Sequence, residues 1–191
     1  MSLIEKAYLK AHGGYDFAGS NSSRDLFVLT GWLPEIIDLK DYDRNKLWQR
    51  ISSGYKNRDC LITCGTGAIE NEDAIGLVSG HAYAVLEVEE FGGNRLLMVK
   101  NPWGHFRYKG KFSLDDHKSW TPELKKFAGY EQLKASDNGI FWIDIDSFCD
   151  AYEHCYINWN PKLLQYRKSF FDLWKEADMS QQDYISVKKN P

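Results

Sequence analysis

The chain has 191 residues and a net charge of −3, the small difference between 24 basic and 27 acidic side chains. That balance offers no cationic surface for nucleic acid or an anionic membrane, and no apolar run approaches the roughly 18–20 residues of a membrane span. With 7 Trp, 11 Tyr and 10 Phe there is ample material for a packed core.

Met1-Ser2-Leu3 leads directly into an amphipathic pattern, with no basic segment followed by an apolar one, so no signal peptide is visible. Ser2-Leu3-Ile4-Glu5 has capping-box form, and Leu3, Ile4, Ala7, Tyr8 and Ala11 recur at helical spacing up to a stop at Gly13-Gly14. Residues 13–23 read as a loop. A short apolar turn or helix over 25–30 ends at Gly31. Asp43 is placed to cap a second helix whose apolar face is Leu47, Trp48, Ile51 and Tyr55. Residues 59–64 are strand-like and close at Gly65-Thr66-Gly67. Residues 80–101 form the clearest hairpin. Thr121 as cap and Pro122 at the first helical position announce another helix. A strand over 139–145, a short helix over 147–152 with a Ser-x-x-Asp start, and a last strand over 154–159 follow. Mostly antiparallel strands with helices before and beside them predict an α+β domain. After Asn160-Pro161 the chain turns polar.

The four cysteines are Cys60, Cys64, Cys149 and Cys155. Without a secretory signal they are expected to be reduced, which gives a cytosolic or nuclear reading. The spacings C-x3-C and C-x5-C match no zinc pattern, and His105, His117 and His154 complete no ligand set, so no metal site is expected. Each cysteine is most simply a small buried hydrophobe.

Side chains alternate faces along a strand. In the hairpin, His81, Tyr83, Val85 and Glu87 share one face of the first arm, and Arg95, Leu97, Val99 and Asn101 share one face of the second. A turn of three or five residues would pair His81 with Asn101, Tyr83 with Val99, Val85 with Leu97 and Glu87 with Arg95. Ala84–Met98 and Leu86–Leu96 would then make the core face. Phe91-Gly92-Gly93-Asn94 also suits a two-residue turn, which would break the His81–Asn101 pairing. On this reading the two residues face each other only if the turn over 89–93 is odd, and the register stays open.

A histidine beside an asparagine has a specific chemical use. A cysteine nucleophile works best as a thiolate–imidazolium pair. One ring nitrogen must serve the sulfur while the other donates to a fixed acceptor, and a neutral asparagine oxygen supplies that acceptor. Trp103, two residues on, is placed to cover the hydrogen bond from water. Gly80 lets a substrate backbone approach beside the histidine. A histidine near an asparagine at a strand start is also a common structural occurrence, and spacing alone does not choose between the readings.

Three stretches in order, Gly80-His81-Ala82-Tyr83-Ala84-Val85, Val99-Lys100-Asn101-Pro102-Trp103-Gly104 and Gly139-Ile140-Phe141-Trp142-Ile143 with Asp146-Ser147-Phe148, resemble the second half of a calpain cysteine protease core. Glu5-Lys6-Ala7-Tyr8 with Gly13-Gly14-Tyr15 resembles the helix ending the first half, and Leu29-Thr30-Gly31 the start of the second. The resemblance covers residues 2–160. The twenty-residue His81-to-Asn101 distance and the Asn158-Trp159-Asn160-Pro161 ending are most similar to the atypical PalB-like (calpain-7-type) branch, which lacks the calcium-binding EF-hand domain.

The resemblance implies a papain-like half-domain: an antiparallel sheet or barrel with flanking helices over 25–160, preceded over 1–24 by the end of the first half-domain. Residues 161–191 would be a linker or the start of a β-sandwich domain. It implies endopeptidase chemistry on protein and peptide substrates, with His81 as catalytic histidine, Asn101 orienting it and Trp103 shielding the pair. The family's nucleophilic cysteine and oxyanion glutamine lie in a Gln…Gly-Asp-Cys-Trp segment of the first half, and no such segment occurs here. The chain is therefore expected to be one wall of a two-walled site, inactive alone, with the first half-domain as its partner. A non-catalytic calpain-like module that binds or regulates partners is the alternative. A self-contained site using Cys60 or Cys64 would need one of them within about 4 Å of His81. Conventional members bind calcium in this half through acidic side chains. The matching positions here are Arg107, Leu114, Asn138 and Ile140, none a carboxylate, with Asp115 and Asp137 one residue away, so calcium is not expected. The pair Asp115-Asp116 reads otherwise as a solvated helix start.

Overall fold

The computed structural model describes residues 2–16, 19–136 and 138–168. The first helix, α1 (Ser2–Ala11), is followed by α2 (Ser22–Thr30), which starts three residues earlier than expected because the Asn21 side chain accepts from the Ser23 N–H. Gly31 closes α2 in the left-handed conformation. Strand β1 (Leu33–Asp38) carries Pro34. A proline cannot donate to a ladder, and β1 is an edge strand paired on one side only, with β6 (His154–Trp159). Helix α3 (Arg44–Lys56) is capped by Asp43 as expected and buries Leu47, Trp48 and Ile51.

The remaining elements are β2 (Cys60–Gly65), a single turn α4 (Glu72–Ile75), the hairpin β3 (Ala82–Phe91) and β4 (Asn94–Lys100), helices α5 (Pro122–Phe127) and α6 (Tyr130–Ala135), β5 (Ile140–Asp144) and α7 (Ile145–Ala151). All strand pairs are antiparallel, in the order β1-β6-β2-β3-β4-β5. This is the α+β architecture the sequence predicts. Both faces of the sheet are covered at β4 and β5. Leu97, Val99, Phe141 and Ile143 join a core with Leu47 and Ile51 of α3 and Phe148 of α7. Their strand neighbours Leu96 and Trp142 join a second core with Phe112, Trp120, Leu124 and Tyr130.

Several expectations need correction. The helix announced by Thr121 breaks at Gly129, which takes a left-handed conformation between α5 and α6. Helix α7 is capped by Asp144 rather than Ser147: the Ser147 N–H donates to Asp144 Oδ1 at 2.7 Å. Asp115-Asp116 starts no helix. The Asp116 carboxylate instead accepts from the backbone N–H groups of Phe112, Lys118 and Ser119 and so holds the loop that delivers Phe112 to the second core. Asp137 and the proposed β-sandwich start beyond residue 168 lie outside the described residues.

The largest correction concerns the hairpin. Phe91 pairs with Asn94, so the turn is the two residues Gly92-Gly93, both at positive φ (58° and 78°), the conformation of a primed turn. Glu90 faces Arg95 and Val88 faces Leu97. An even turn alone would put His81 and Asn101 on opposite faces. A β-bulge at Leu86 inserts one unpaired residue, after which Val85 faces Val99 and Ala84 faces Lys100. Tyr83 and Val85 on one side of the bulge and Val88 on the other therefore all meet the first core, while Leu86 is exposed. The pairs His81–Asn101, Tyr83–Val99, Val85–Leu97 and Glu87–Arg95 do not form as direct ladder partners.

Asp116 yields a prediction. Burial pushes its carboxyl up, but the bonds from Ser119 and from the Phe112, Lys118 and Ser119 backbone outweigh this and hold it at about 2, against 3.8 ordinarily. A depressed folded pKa gives stability that is complete above the unfolded value and lost as pH falls through the folded one. Asp116→Asn is expected to cost roughly 1 kcal/mol at neutral pH. In urea titrations the difference from wild type should fade between about pH 4 and pH 2; a pH-independent difference would contradict it.

Candidate functional site

His81 lies one residue before β3 and Asn101 one residue after β4. Just beyond the ladder their side chains meet, with His81 Nε2 2.9 Å from Asn101 Oδ1. Asn101 is fully buried. Its Nδ2 donates to the carbonyls of His105 and Phe106, both at 3.0 Å, and its Oδ1 also accepts the Trp103 N–H at 3.1 Å. Carbonyls only accept, so the side of Asn101 facing them must be the NH2. The oxygen therefore faces the imidazole, and Nε2 must carry the proton. This network leaves the neutral ring with Nδ1 as its basic nitrogen.

The Trp103 ring lies over His81, centroids 4.4 Å apart at 42°. Trp103 itself is 56% exposed in this chain. Tyr83 also meets the imidazole, edge to face at 5.0 Å between centroids. Gly80 takes φ 58°, and a Cβ built there would meet nothing within 4 Å. The glycine is needed for its backbone conformation, and the space before it is open.

The segment carrying His81 is clamped by a residue that the sequence reading passed over. Thr66, buried just after β2, exchanges backbone and side-chain bonds with His81: its N–H donates to the His81 carbonyl at 3.0 Å and its Oγ1 accepts the His81 N–H at 2.9 Å. The same hydroxyl donates to the Val78 carbonyl at 2.6 Å. The Val78 N–H is held by the Tyr83 hydroxyl, and the Ser79 N–H by Glu72 of α4. On the other wall the Asn101 N–H donates to the Gly139 carbonyl at 2.9 Å. The only advance signal for Thr66 was its place in the Gly65-Thr66-Gly67 strand ending. Nothing marked the His105 and Phe106 carbonyls, because backbone acceptors leave no trace in side-chain identity.

The structure does not bring a cysteine to this pair. Cys64 sits inside the first core at 0% exposure, with its Sγ directed at the Tyr83 carbonyl. Burial pushes its thiol well up, and does the same to Cys155. Cys60 packs against Gly54 of α3, which the Trp159 ring also approaches, and its thiol is pushed up by burial to about 11, as is that of Cys149. Thiols raised this way are poor nucleophiles at neutral pH. The self-contained site is thereby dismissed.

The Asn158-Trp159-Asn160-Pro161 ending has structural work. Buried Asn158 donates to the carbonyls of Ser23 and Trp32, the Trp159 indole N–H donates to Glu35, and the Asn160 side chain accepts from the Lys162 N–H.

Comparison with known proteins adds to this geometry. A family model described as calpain family cysteine protease matches residues 1–158. The chain is 44% identical over 203 residues to Calpain-7 of Mus musculus, covering 100% of this chain and 24% of that protein. It is 38% identical over 181 residues to the calpain-like protease palB/RIM13 of Aspergillus oryzae, covering 91% of this chain and 20% of that protein. With the calpain-type cysteine protease DEK1 of Arabidopsis thaliana it shares 32% over 203 residues, 100% of this chain and 9% of that protein. The chain thus spans a quarter or less of the length of these relatives. The family model matched over residues 1–158 places this chain in the calpain family of cysteine proteases, and the matches to Calpain-7 and palB/RIM13 place it in the atypical PalB-like branch.

Proposed function

We propose that this chain forms the histidine–asparagine wall of a calpain-like endopeptidase site, with the nucleophilic thiol supplied by the first half-domain of the full-length protein. The hydrogen bond from His81 Nε2 to the buried Asn101 Oδ1 carries the reading. It directs Nδ1 away from Asn101 and toward the space where a partner thiol would sit. Nδ1 takes the thiol proton, giving a thiolate–imidazolium pair. The thiolate attacks the peptide carbonyl, and the imidazolium returns the proton to the departing amine nitrogen. Water activated by the same nitrogen then releases the acyl group. Asn101 stays neutral and holds the ring plane throughout, under Trp103. A reducing compartment, cytosol or nucleus, suits four free buried cysteines.

Alone, the chain should not cleave peptides. The full-length protein should do so, and one equivalent of a thiol alkylating agent should stop it. A full-length protein with no cysteine facing His81, and no hydrolysis under reducing conditions, would replace this reading with that of a partner-binding or regulatory module.

We also infer that this half works without calcium. The residues at the positions named above do not fit the ion: the Arg107 guanidinium donates to the Leu133 and Ser136 carbonyls, Leu114 and Ile140 pack on the second core, and the Asn138 oxygen accepts the Ile140 N–H. Asp116 is committed to three backbone donors. Among the described residues no group of three His, Cys, Asp or Glu side chains is placed to hold a metal. The melting temperature of this chain should change by less than about 1 °C between excess chelator and about 5 mM calcium, since an ion bound only by the folded state would raise it. A rise of several degrees would overturn the inference.

A further inference from the structure

We propose that Arg107 is a positioning residue for the His81–Asn101 pair, acting through the loop that sets which way the Asn101 amide faces. This rests on the catalytic reading of His81 given above. The amide has two orientations of nearly equal shape. The carbonyls of His105 and Phe106, which both accept from Nδ2, and the Trp103 N–H, which donates to Oδ1, decide between them. Were those carbonyls to swing away, the flipped amide would set an NH2 against His81 Nε2–H and the Trp103 N–H, and the imidazole would lose the acceptor that fixes its tautomer.

The two carbonyls converge on one atom through an unfavourable backbone. Phe106 takes φ 62°, the left-handed region that side chains other than glycine avoid. Such a conformation persists only where its surroundings hold it. Arg107 is the next residue. Its Nη1 donates to the Leu133 carbonyl at 3.1 Å and the Ser136 carbonyl at 3.0 Å, at the C-terminal end of α6. Both carbonyls lie at a helix end that carries partial negative charge, so a guanidinium suits them, and Leu133 also accepts from the Ser136 N–H and hydroxyl. The backbone of Arg107 is trapped from the other side. A Cβ built on Gly76, the residue that ends α4, would stand 2.0 Å from the Arg107 carbonyl oxygen. Two residues on, the Lys109 N–H donates to the Ile75 carbonyl at 2.9 Å, and the Lys109 Nζ to the Asp73 carbonyl at 2.7 Å. The strained residue is thus gripped between the ends of two helices, and Arg107 makes the side-chain half of that grip. The effect of Arg107 on the pair passes through the Phe106 and His105 carbonyls.

The test uses two readouts. In the full-length protein, Arg107→Ala should lower kcat about tenfold with KM changed less than about twofold, and Arg107→Lys should recover part of the loss. In this chain, nitrogen-resolved NMR should show the His81 Nε2–H as a slowly exchanging proton. In Arg107→Ala it should exchange about tenfold faster, or share its intensity with the Nδ1–H tautomer, while the buried Trp142 indole N–H is unchanged. An unaltered kcat per folded molecule with an unaltered Nε2–H signal would reduce Arg107 to a structural tie and overturn the proposal. Should Arg107→Ala fail to fold, Arg107→Lys is read on both scales, and wild-type values on both overturn it equally. Activity surviving His81→Ala would instead refute the catalytic reading, and the NMR result would still decide whether Arg107 governs the pair.

Discussion

His81→Ala in the full-length protein is expected to lower kcat for peptide hydrolysis by about 10³-fold, the scale of a general acid–base group, with KM little changed. The side chain serves twice in the proposed cycle, once to strip the thiol and once to protonate the amine. Asn101→Ala should fall between, with a loss of about 10²-fold, because the imidazole remains but its plane is no longer held. The buried asparagine also satisfies two carbonyls, so this variant should in addition lose roughly 1–3 kcal/mol of stability, the cost of buried acceptors left without donors. Steady-state kinetics on protein normalised by active-site titration checks both. Equal losses in the two variants would mean that Asn101 does more than orient; wild-type activity in His81→Ala would remove the site altogether.

Gly139→Ala is expected to be a strongly damaging single-methyl change beside the His81–Asn101 pair. Gly139 takes φ 75°, and an added Cβ would stand 2.6 Å from the Asn101 carbonyl oxygen, 3.2 Å from Gly104 Cα and 3.3 Å from Asn101 Cβ. Three neighbours, two of them backbone, cannot all retreat. The left-handed conformation alone costs a non-glycine residue roughly 1–2 kcal/mol, and the overlap adds to it, for a total of about 2–4 kcal/mol. Urea denaturation of this chain measures it directly. Relief of the overlap would shift Asn101 away from β5, so the full-length variant should also lose activity beyond its loss of folded protein. A destabilisation under about 0.5 kcal/mol would show that the close approach is not a constraint.

Much of the fold was legible because its elements carry local signals. Asp43 and Thr121 cap their helices, the Leu47-Trp48-Ile51 stripe has the helical period, and the 154–159 strand stands alone between turn residues. What was missed lacks such signals. Strand β1 is short, half-exposed and interrupted by Pro34, and it exists because β6 offers it a ladder. Helix α4 is one turn, bounded by Asn71 and Gly76. The choice of cap for α7 went to Asp144 because β5 delivers that carboxylate at the right height. There it accepts both the Ser147 N–H and the Lys111 ammonium, and these hold its carboxyl below the usual range although burial pushes it up.

At the site itself, residue identity pointed to His81, Asn101 and Trp103 because it is their side chains that meet. Thr66 and Arg107 escaped because each acts on a backbone carbonyl or amide that any residue could provide. The register stayed open for a further reason, and the condition that an odd turn is needed fails. The Gly92-Gly93 turn carries a local signal, whereas the bulge at Leu86 carries none and arises where the hairpin must fit α3 on one face and the second core on the other.

That bulge has a consequence for how relatives of this hairpin should be compared. An antiparallel ribbon has a phase, and each unpaired residue advances it by one half-step. The two-residue turn and the extra residue at Leu86 cancel. A three-residue turn on straight arms would return the histidine and asparagine to a common face as well. Two sequences can therefore differ by one residue at the hairpin tip and by one residue of opposite sense near Leu86 and still build the same wall. Sequence matching will tend to spread such a pair of offsetting gaps along the arms as mismatches. The unit that selection sees in this hairpin is the summed phase between residues 81 and 101, not the length of either arm.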